Sequence, residues 1–189
     1  LYVGVSIHFQ ESMDDLGDRI REVKPEVFTA VPRVLEKVYA RIVAKGEELT
    51  GAKRKLFFWA LDLGHRYEVH GRSPWYNLQL AVARKLIFSK WQAALGGNVR
   101  CVSSGSAALQ PRLARVFNAA GIPLMEGYGL TETSPVVSVS DARNDGLRFG
   151  CVGRPLKDVQ VRIADDGEIL VKGPNVMMGY YLEPELTRE

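Results

Sequence analysis

The stretch GYGLTETSPV, residues 127–136, brings together side chains that could bind a nucleotide. Tyr128 lies between two glycines that let the backbone approach a ligand closely, and its ring offers a flat face to a purine base. Thr131 supplies a hydroxyl donor for a phosphate oxygen. Glu132 supplies a hard carboxylate oxygen, which Mg²⁺ takes when phosphates provide most of its other ligands. The same spacing would also serve a solvated turn or a helix cap, so both interpretations stay open at this point.

A second loop is predicted to open beside the first one. The segment from Val99 to Tyr128 contains a β-branched strand, the amphipathic helix PRLARVFNAAG and the strand IPLMEGYG. This order predicts a βαβ unit with two parallel strands. Ligands of open parallel sheets bind beyond the carboxyl ends of the strands. If the two strands are neighbours, we therefore expect the loops SSGSA, at 103–107, and GYGLTET, at 127–133, to meet at one edge.

Ser106 raises the alternative of a hydrolase, because a serine after a strand-to-helix turn resembles a nucleophile elbow. The G-x-S-x-G motif would need glycine where the chain has Ser104 and Ala108. All three histidines of the chain also precede Ser106, whereas the triad order of that fold places the histidine after the serine. The sequence therefore argues against a hydrolase.

The segment before the βαβ unit predicts a helix, a strand and a second helix. Ser12 and Asp15 have the spacing of a capping box in front of the helical pattern MDDLGDRIREV, and EVFTAVP is typical of a short buried strand. Pro32 suits the first turn of the next helix, RVLEKVYARIVAKGEEL. One face of that helix carries the apolar residues Val34, Leu35, Val38, Tyr39 and Ile42.

A long helical region is predicted from about Ala52 to Leu95, with a break at GHRYEVHGRSP, where glycines and a proline interrupt the pattern. Its aromatic residues could form a cofactor pocket, but packing between helices is the commoner use of such side chains. We expect packing for Phe57, Phe58, Trp59, Tyr67, Trp75 and Trp91.

The last third of the chain changes character. VQVRI and EILVKG alternate apolar and polar residues around the turn ADDG, which predicts a β-hairpin. The predicted fold class is therefore α/β. It has a parallel-sheet βαβ subdomain over 1–142 that includes a helical region over about 44–95, followed by the start of a smaller antiparallel β subdomain over 143–189. The boundary is expected near Asp141 to Asn144.

Composition narrows the class of protein. The 189 residues are 46% hydrophobic with a net charge of +3, and the basic residues alternate with acidic ones, which argues against nucleic-acid binding. Cys101 and Cys151 lie among apolar neighbours, so we expect buried thiols in a reducing, cytoplasmic setting. The sequence contains no apolar run near the ~18–20 residues of a membrane span and no signal-peptide pattern.

GYGLTETSP resembles the signature of the adenylate-forming superfamily, which contains acyl-CoA synthetases, firefly luciferases and the adenylation domains of peptide synthetases. The resemblance extends over VSSGSAALQPRLARVFNAAGIPLMEGYGLTETSPVV and GCVGRPLKDVQVRIADDGEILVKGPNVMMGYYLEPELT. REVKPEVFTAVPRVLEKVYARI and the helical region that follows it resemble the long-chain fatty acyl-CoA synthetases. The resemblance therefore covers nearly the whole chain.

This resemblance implies a two-step ligation. A fatty carboxylate attacks the α-phosphate of Mg·ATP, which releases pyrophosphate and forms an acyl-adenylate, and the thiol of CoA then displaces AMP. Thr131 is implied to contact the α-phosphate and Glu132 to bind Mg²⁺, with Thr133 supporting the loop. The residues implied to line the nucleotide and acyl sites are Gly105, Ser106, Ala107, Glu126, Gly127, Tyr128, Gly129 and Thr131.

Within that set, Tyr128 is implied to stack on adenine, with Glu126 and Gly127 along the base. Residues 105–107 match the family's Gly-Gly-Ala segment, but the second glycine is Ser106 here. A side chain at that point narrows the pocket or adds a donor, so the acyl preference stays open.

The resemblance also leads us to expect a piece of a longer protein. The family's phosphate loop would precede residue 1, while the ribose-binding aspartate and the domain with the catalytic lysine would follow residue 189. We therefore expect these 189 residues alone to be inactive. Two alternatives are an enzyme that adenylates an aryl or amino acid and a non-catalytic interaction module. Peripheral contact of the longer protein with a membrane is a further option that the resemblance leaves open.

Overall fold

The computed structural model describes residues 4–9, 15–141 and 146–188. Within these residues, five strands form one mixed sheet in the order β1-β2-β3-β4-β5, and two more form a separate antiparallel pair. The strands are β1 Val27–Thr29, β2 Cys101–Ser104, β3 Leu124–Tyr128, β4 Ser138–Val139, β5 Arg154–Pro155, β6 Gln160–Ile163 and β7 Ile169–Lys172. The helices are α1 Leu16–Val23, α2 Pro32–Glu47, α3 Gly51–His65, α4 Pro74–Ala83, α5 Ser89–Ala94, α6 Pro111–Ala119 and α7 Pro184–Arg188.

The predicted βαβ unit is confirmed. β2 and β3 are neighbouring parallel strands connected through α6, and Val102 is paired with Leu124 in their register. β1 adds a third parallel strand on the other side of β2. β4 and β5 then extend the sheet in antiparallel orientation beyond β3. The chain therefore turns back on itself directly after the GYGLTET loop.

Prolines open four of the described helices, α2, α4, α6 and the short α7, as the pattern predicts for α2 and α6. Pro32, Pro74 and Pro111 each lie in a first turn, where the missing N–H has no helical partner in any case. In α4, the Ser73 hydroxyl also accepts a hydrogen bond from the backbone N–H of Tyr76 at 3.2 Å. The predicted helical region is likewise confirmed: α3 and α4 flank a break at 66–73, and a π-helical turn at 84–88 joins α4 to α5.

The core lies where α3 and α6 pack together against the sheet. A Cβ atom added to Gly64 of α3 would lie 2.7 Å from Cγ2 of Val116 on α6, so a glycine is what permits this close approach. Trp91 of α5 packs edge-on against Phe88 and Phe117, with ring centroids 5.2 and 6.2 Å apart. The largest side chains fully buried here are Phe88, Phe117, Leu63, Leu113, Ile122, Leu124, Val102 and Val116.

Several expectations about burial are wrong. β1 is an exposed edge strand rather than a buried one, with Val27 at 61% exposure, because a single strand pairs with it. Trp75 is 66% exposed on α4 and does not pack between helices, whereas Phe57 and Trp91 do belong to the core. Cys151 is exposed, since it follows the turn at 149–150 instead of lying within a strand.

Two further expectations fall partly outside the described residues. Ser12 of the predicted capping box lies outside them, and Asp15, three residues later, precedes α1 without a side-chain cap hydrogen bond. Most of the expected boundary at 141–144 also lies outside them, so the division into subdomains stays a prediction. The predicted hairpin is confirmed: β6 and β7 pair in antiparallel register, from Gln160 with Lys172 to Ile163 with Ile169. No helix in the described ranges combines the length and the apolar character of a membrane span.

Candidate functional site

The two predicted loops meet at the carboxyl edge of the sheet. Ser104, the last residue of β2, is paired with Glu126, and β3 continues to Tyr128, so both strands end at the same edge of the sheet. A Cβ atom added to Gly105 would lie 3.5 Å from the carbonyl oxygen of Gly127, which is ordinary contact distance. The predicted adjacency of the loops is therefore confirmed by the register of two parallel strands.

Thr131–Thr133 forms a single 3₁₀ turn that is closed by the side chain of Thr133. The Leu130 N–H donates to Thr133 Oγ1 at 3.0 Å, and this hydroxyl donates to the Leu130 carbonyl at 2.9 Å. Thr133 is buried by these contacts, whereas Thr131 is exposed and Glu132 is half-buried. The turn thus uses one hydroxyl to hold its shape and leaves the other hydroxyl and the carboxylate accessible to a ligand.

Gly129 lets the loop fold back on itself. The N–H of Val137 donates to the Tyr128 carbonyl at 2.8 Å, which draws the returning chain against the end of β3. A Cβ atom added to Gly129 would lie 1.7 Å from the Pro135 carbonyl oxygen and 2.9 Å from the Cα of Val136. Both are backbone atoms that cannot rotate away, so glycine is required here by close approach and not by an unusual φ.

The Glu132 carboxylate has a defined environment. Its Oε1 accepts a hydrogen bond from the Tyr180 hydroxyl at 2.9 Å. The N–H of its own backbone, and then this hydroxyl, lower the pKa of the Glu132 carboxyl below 4.5, because both donors stabilise the charged form. The group is therefore an anion at neutral pH, which is the state that binds a cation.

Glu126, in contrast, turns its side chain into the protein. The residue is 7% exposed, and burial raises the pKa of its carboxyl, while hydrogen bonds from the N–H groups of Gly150 and Leu109 oppose the rise. Its backbone is engaged by β4: its N–H donates to Ser140 Oγ at 2.8 Å, and its carbonyl accepts from the Ser140 N–H at 2.8 Å. Alternation along β3 is a signal that indicates this orientation, because it places Glu126 on the same face as the buried Leu124.

The model of the AMP-binding enzyme family matches residues 1–181. The chain belongs to this family. It is 38% identical to the long-chain-fatty-acid–CoA ligase FadD15 of Mycobacterium bovis, covering 98% of this chain and 31% of that protein. It is 33% identical to the peroxisomal long chain acyl-CoA synthetase 7 of Arabidopsis thaliana, covering 100% of this chain and 28% of that protein. The chain therefore spans less than a third of the length of these relatives.

Solved structures agree on the fold. The ATP-bound RpMatB-BxBclM chimera B3 superposes with a TM-score of 0.53 at 25% identity, covering 93% of this chain and 27% of that one. The O-succinylbenzoate coenzyme A synthetase of Bacillus subtilis in complex with ATP and magnesium gives a TM-score of 0.55 at 20% identity, covering 96% of this chain and 30% of that one. The mixed α/β architecture is thus that of adenylate-forming enzymes.

Ser106 of this AMP-binding enzyme adopts a backbone conformation that favours glycine. Its φ is +70°, in the left-handed region, where a residue without a Cβ atom is least strained. Its side chain and that of Ala107 are exposed at the sheet edge where the loops 103–107 and 127–133 meet. We call this edge the rim. Next to them, the Ser104 hydroxyl is buried and has no hydrogen-bond partner among the residues described. The serine at 106 therefore costs conformational energy in return for a hydroxyl at the rim.

The residues at the rim are compatible with Mg²⁺ only as part of a complex with phosphates. No group of three or more His, Cys, Asp or Glu side chains within 4–9, 15–141 and 146–188 could hold a metal ion. Glu132 would thus be a single protein ligand, and Mg²⁺ is commonly held by one or two carboxylates together with water and substrate phosphates. An anionic, accessible carboxylate beside the hydroxyl of Thr131 fits that arrangement.

The sequence analysis missed the segment 175–180. Asn175 Nδ2 donates to the Val136 carbonyl at 3.0 Å, and the N–H of Met177 donates to the Glu132 carbonyl at 2.8 Å. Together with Tyr180, these contacts attach the segment to the back of the loop. No periodicity or motif in NVMMGYY indicates such contacts, because they join residues about 40 positions apart in the chain.

Proposed function

We propose that this chain is the central part of a long-chain fatty acid–CoA ligase that forms AMP. The observation that carries the proposal is the meeting of two loops at the edge of parallel strands, where Thr131 and Glu132 are accessible on one turn. The relatives named as long-chain ligases support a fatty acid as the substrate. Because the chain spans less than a third of those relatives, the activity is proposed for a longer protein that contains it.

The proposed reaction has two steps that share one site. A fatty carboxylate oxygen attacks the α-phosphorus of ATP, and pyrophosphate leaves with the electrons of the broken P–O bond. The thiol of CoA, after losing its proton, then attacks the acyl carbon, and AMP leaves. Thr131 donates its hydroxyl to an α-phosphate oxygen, and Glu132 holds Mg²⁺, which when bound offsets the negative charge of the phosphates.

The remaining residues of the rim position the nucleotide. Tyr128 provides a flat face for adenine, and stacking of a base on an aromatic ring contributes about 1–3 kcal/mol. Gly127 and Gly105 keep side chains away from the space between the loops, and Ser106 with Ala107 borders the acyl side. Glu126 contributes through its backbone, because its carboxyl lies in the interior. Cytoplasmic localisation and peripheral membrane contact stay predictions for the longer protein.

Fatty-acid-dependent exchange of pyrophosphate into ATP tests the proposal. In the longer protein, Glu132→Ala should abolish the exchange, because the phosphates lose the carboxylate that binds their metal. Glu168→Ala is the matched control, since that glutamate lies exposed at the hairpin, away from the rim, and should leave the exchange unchanged. Exchange at the wild-type rate in Glu132→Ala would refute the metal-binding role.

A substrate panel separates the ligase from its alternatives. Exchange that depends on palmitate or oleate and not on benzoate or amino acids supports a fatty acid ligase. Exchange that depends on an aryl or amino acid would instead identify an adenylating enzyme of another specificity. The absence of exchange with every acid, in a folded protein that carries the catalytic lysine domain, would favour the non-catalytic module.

A further inference from the structure

The segment 175–180 lies across the back of the 131–133 turn and contacts it in two distinct ways. Asn175 donates to the Val136 carbonyl and Met177 to the Glu132 carbonyl, and these hydrogen bonds fix the backbone of the segment against the backbone of the loop. The Tyr180 hydroxyl instead donates to the Glu132 side chain at 2.9 Å. Across the described part of the chain, it is the single side-chain donor to that carboxylate.

Tyr180 is held from its other side by α7. Its backbone N–H donates to Thr187 Oγ1 at 2.9 Å, and the Thr187 hydroxyl donates in turn to the Glu183 carbonyl at 2.8 Å. A Cβ atom added to the preceding Gly179 would lie 2.5 Å from Thr187 Cγ2, so the two segments are in close contact. The backbone of Tyr180 is therefore held by α7, independently of the turn that its phenol contacts.

We propose that Tyr180 is a positioning residue that orients the Glu132 carboxylate for Mg²⁺. This inference rests on the proposed function, in which Glu132 binds the metal. With Oε1 held by the phenol, the carboxylate cannot rotate freely, and Oε2 is left for the cation. Hydrogen-bond partners of metal ligands commonly act in this way, and their removal typically weakens metal affinity by about 10–100-fold.

The contact can be removed without disturbing the loop. Tyr180→Phe deletes the phenolic oxygen and keeps the ring, while the backbone hydrogen bonds from Asn175 and Met177 to the turn stay in place. Tyr181→Phe is the matched control, because the adjacent Tyr181 is 89% exposed and the hydrogen bond to Glu132 in the described structure comes from Tyr180 instead. Both variants lose one phenolic oxygen, but Tyr180→Phe alone removes a hydrogen bond from the Glu132 carboxylate.

The first measurement is the Mg²⁺ dependence of fatty-acid-dependent pyrophosphate release by the longer protein. We expect Tyr180→Phe to raise the Mg²⁺ concentration for half-maximal rate about 10-fold. The rate at saturating Mg²⁺ should stay near that of the wild type, since excess metal restores occupancy. Tyr181→Phe should match the wild type in both parameters. An unchanged Mg²⁺ midpoint in Tyr180→Phe would overturn the inference.

A second measurement does not require turnover. Mg²⁺ added in the presence of α,β-methylene-ATP should raise the melting temperature of the protein. The Mg²⁺ concentration at which half of this rise is reached should be higher in Tyr180→Phe by a similar factor. If the wild type releases no pyrophosphate, the proposed function fails, and this measurement still tests the contact. In a Glu132→Ala background, Tyr180→Phe should have no further effect on the midpoint, because the phenol then has no carboxylate to orient. An equal effect in both backgrounds would show that Tyr180 acts by another route.

Discussion

Replacement of Gly129 by alanine is the sharpest structural test of the loop. The added Cβ atom would lie 1.7 Å from the Pro135 carbonyl oxygen, whereas ordinary contact begins near 3.4 Å. The carbonyl would have to move by the difference between these distances, about 1.7 Å. Its neighbours resist that movement, because the N–H of Val137 is bonded to Tyr128 and the Val137 carbonyl accepts from Leu156 at 2.9 Å.

The magnitude follows from the kind of displacement required. Overpacking a site costs about 1–3 kcal/mol, and weakening one backbone hydrogen bond adds about 1 kcal/mol. We therefore expect Gly129→Ala to lower the free energy of unfolding by about 3 kcal/mol. For a domain of this size, that corresponds to a fall of roughly 6–12 °C in melting temperature. Thermal unfolding followed by intrinsic fluorescence measures the change.

Gly105→Ala is the matched control on the facing loop. Its added Cβ atom meets the Gly127 carbonyl at 3.5 Å, an ordinary contact, and the φ of Gly105 lies outside the left-handed region. We expect this variant to change stability by less than about 1 kcal/mol. Two alanine variants that melt within about 2 °C of each other would refute the steric argument for Gly129.

Two further predictions concern the rim and the interior behind it. Ser106→Gly should stabilise the protein by up to about 1 kcal/mol, because relief of the left-handed strain outweighs the greater entropy of the unfolded chain. Ser106→Val should instead destabilise the protein. Equal melting temperatures for the two variants would contradict the assigned φ. For Glu126, the raised pKa means that the folded state binds the proton more tightly than the unfolded chain, so wild-type stability falls as pH rises above 4.5 and through the folded pKa. Glu126→Gln keeps an acceptor for Leu109 or Gly150 and should remove this decline. The stability gained by the variant in urea unfolding should thus grow from pH 4.5 to 7.5, and a gain independent of pH would show that the carboxyl is not responsible.

Local pattern was enough to predict the elements that carry the site. Helix starts at Pro32 and Pro111 depend on the fixed φ of proline, and the β6–β7 hairpin depends on alternation around a turn. A strand–helix–strand order leaves the two strands parallel, so the loops after β2 and β3 had to open at one edge. The placement of the rim thus follows from chain order together with the adjacency of β2 and β3, which their register shows.

Burial was predicted less well, because it depends on what covers an element. The apolar composition of β1 is the same whether one or two strands flank it, and Val27 is exposed since β1 lies at the sheet edge. Trp75 lies on α4, and the face of α4 that is packed is the one that contacts α3. The spacing of residues within α4 does not indicate which face that is. Glu126 was assigned to the base as a residue of the motif, although its side chain is buried behind the rim.

The sequence by itself determined the fold class, the family and the loop that carries Thr131 and Glu132, because each is written in residues close together in the chain. The tertiary structure alone decided why Gly129 must be glycine and which group holds the Glu132 carboxylate. The reason is physical: the Pro135 carbonyl and the Tyr180 hydroxyl reach their positions only when the chain returns through β4 and α7. Contacts made by such returning segments are not indicated by any periodicity in the sequence.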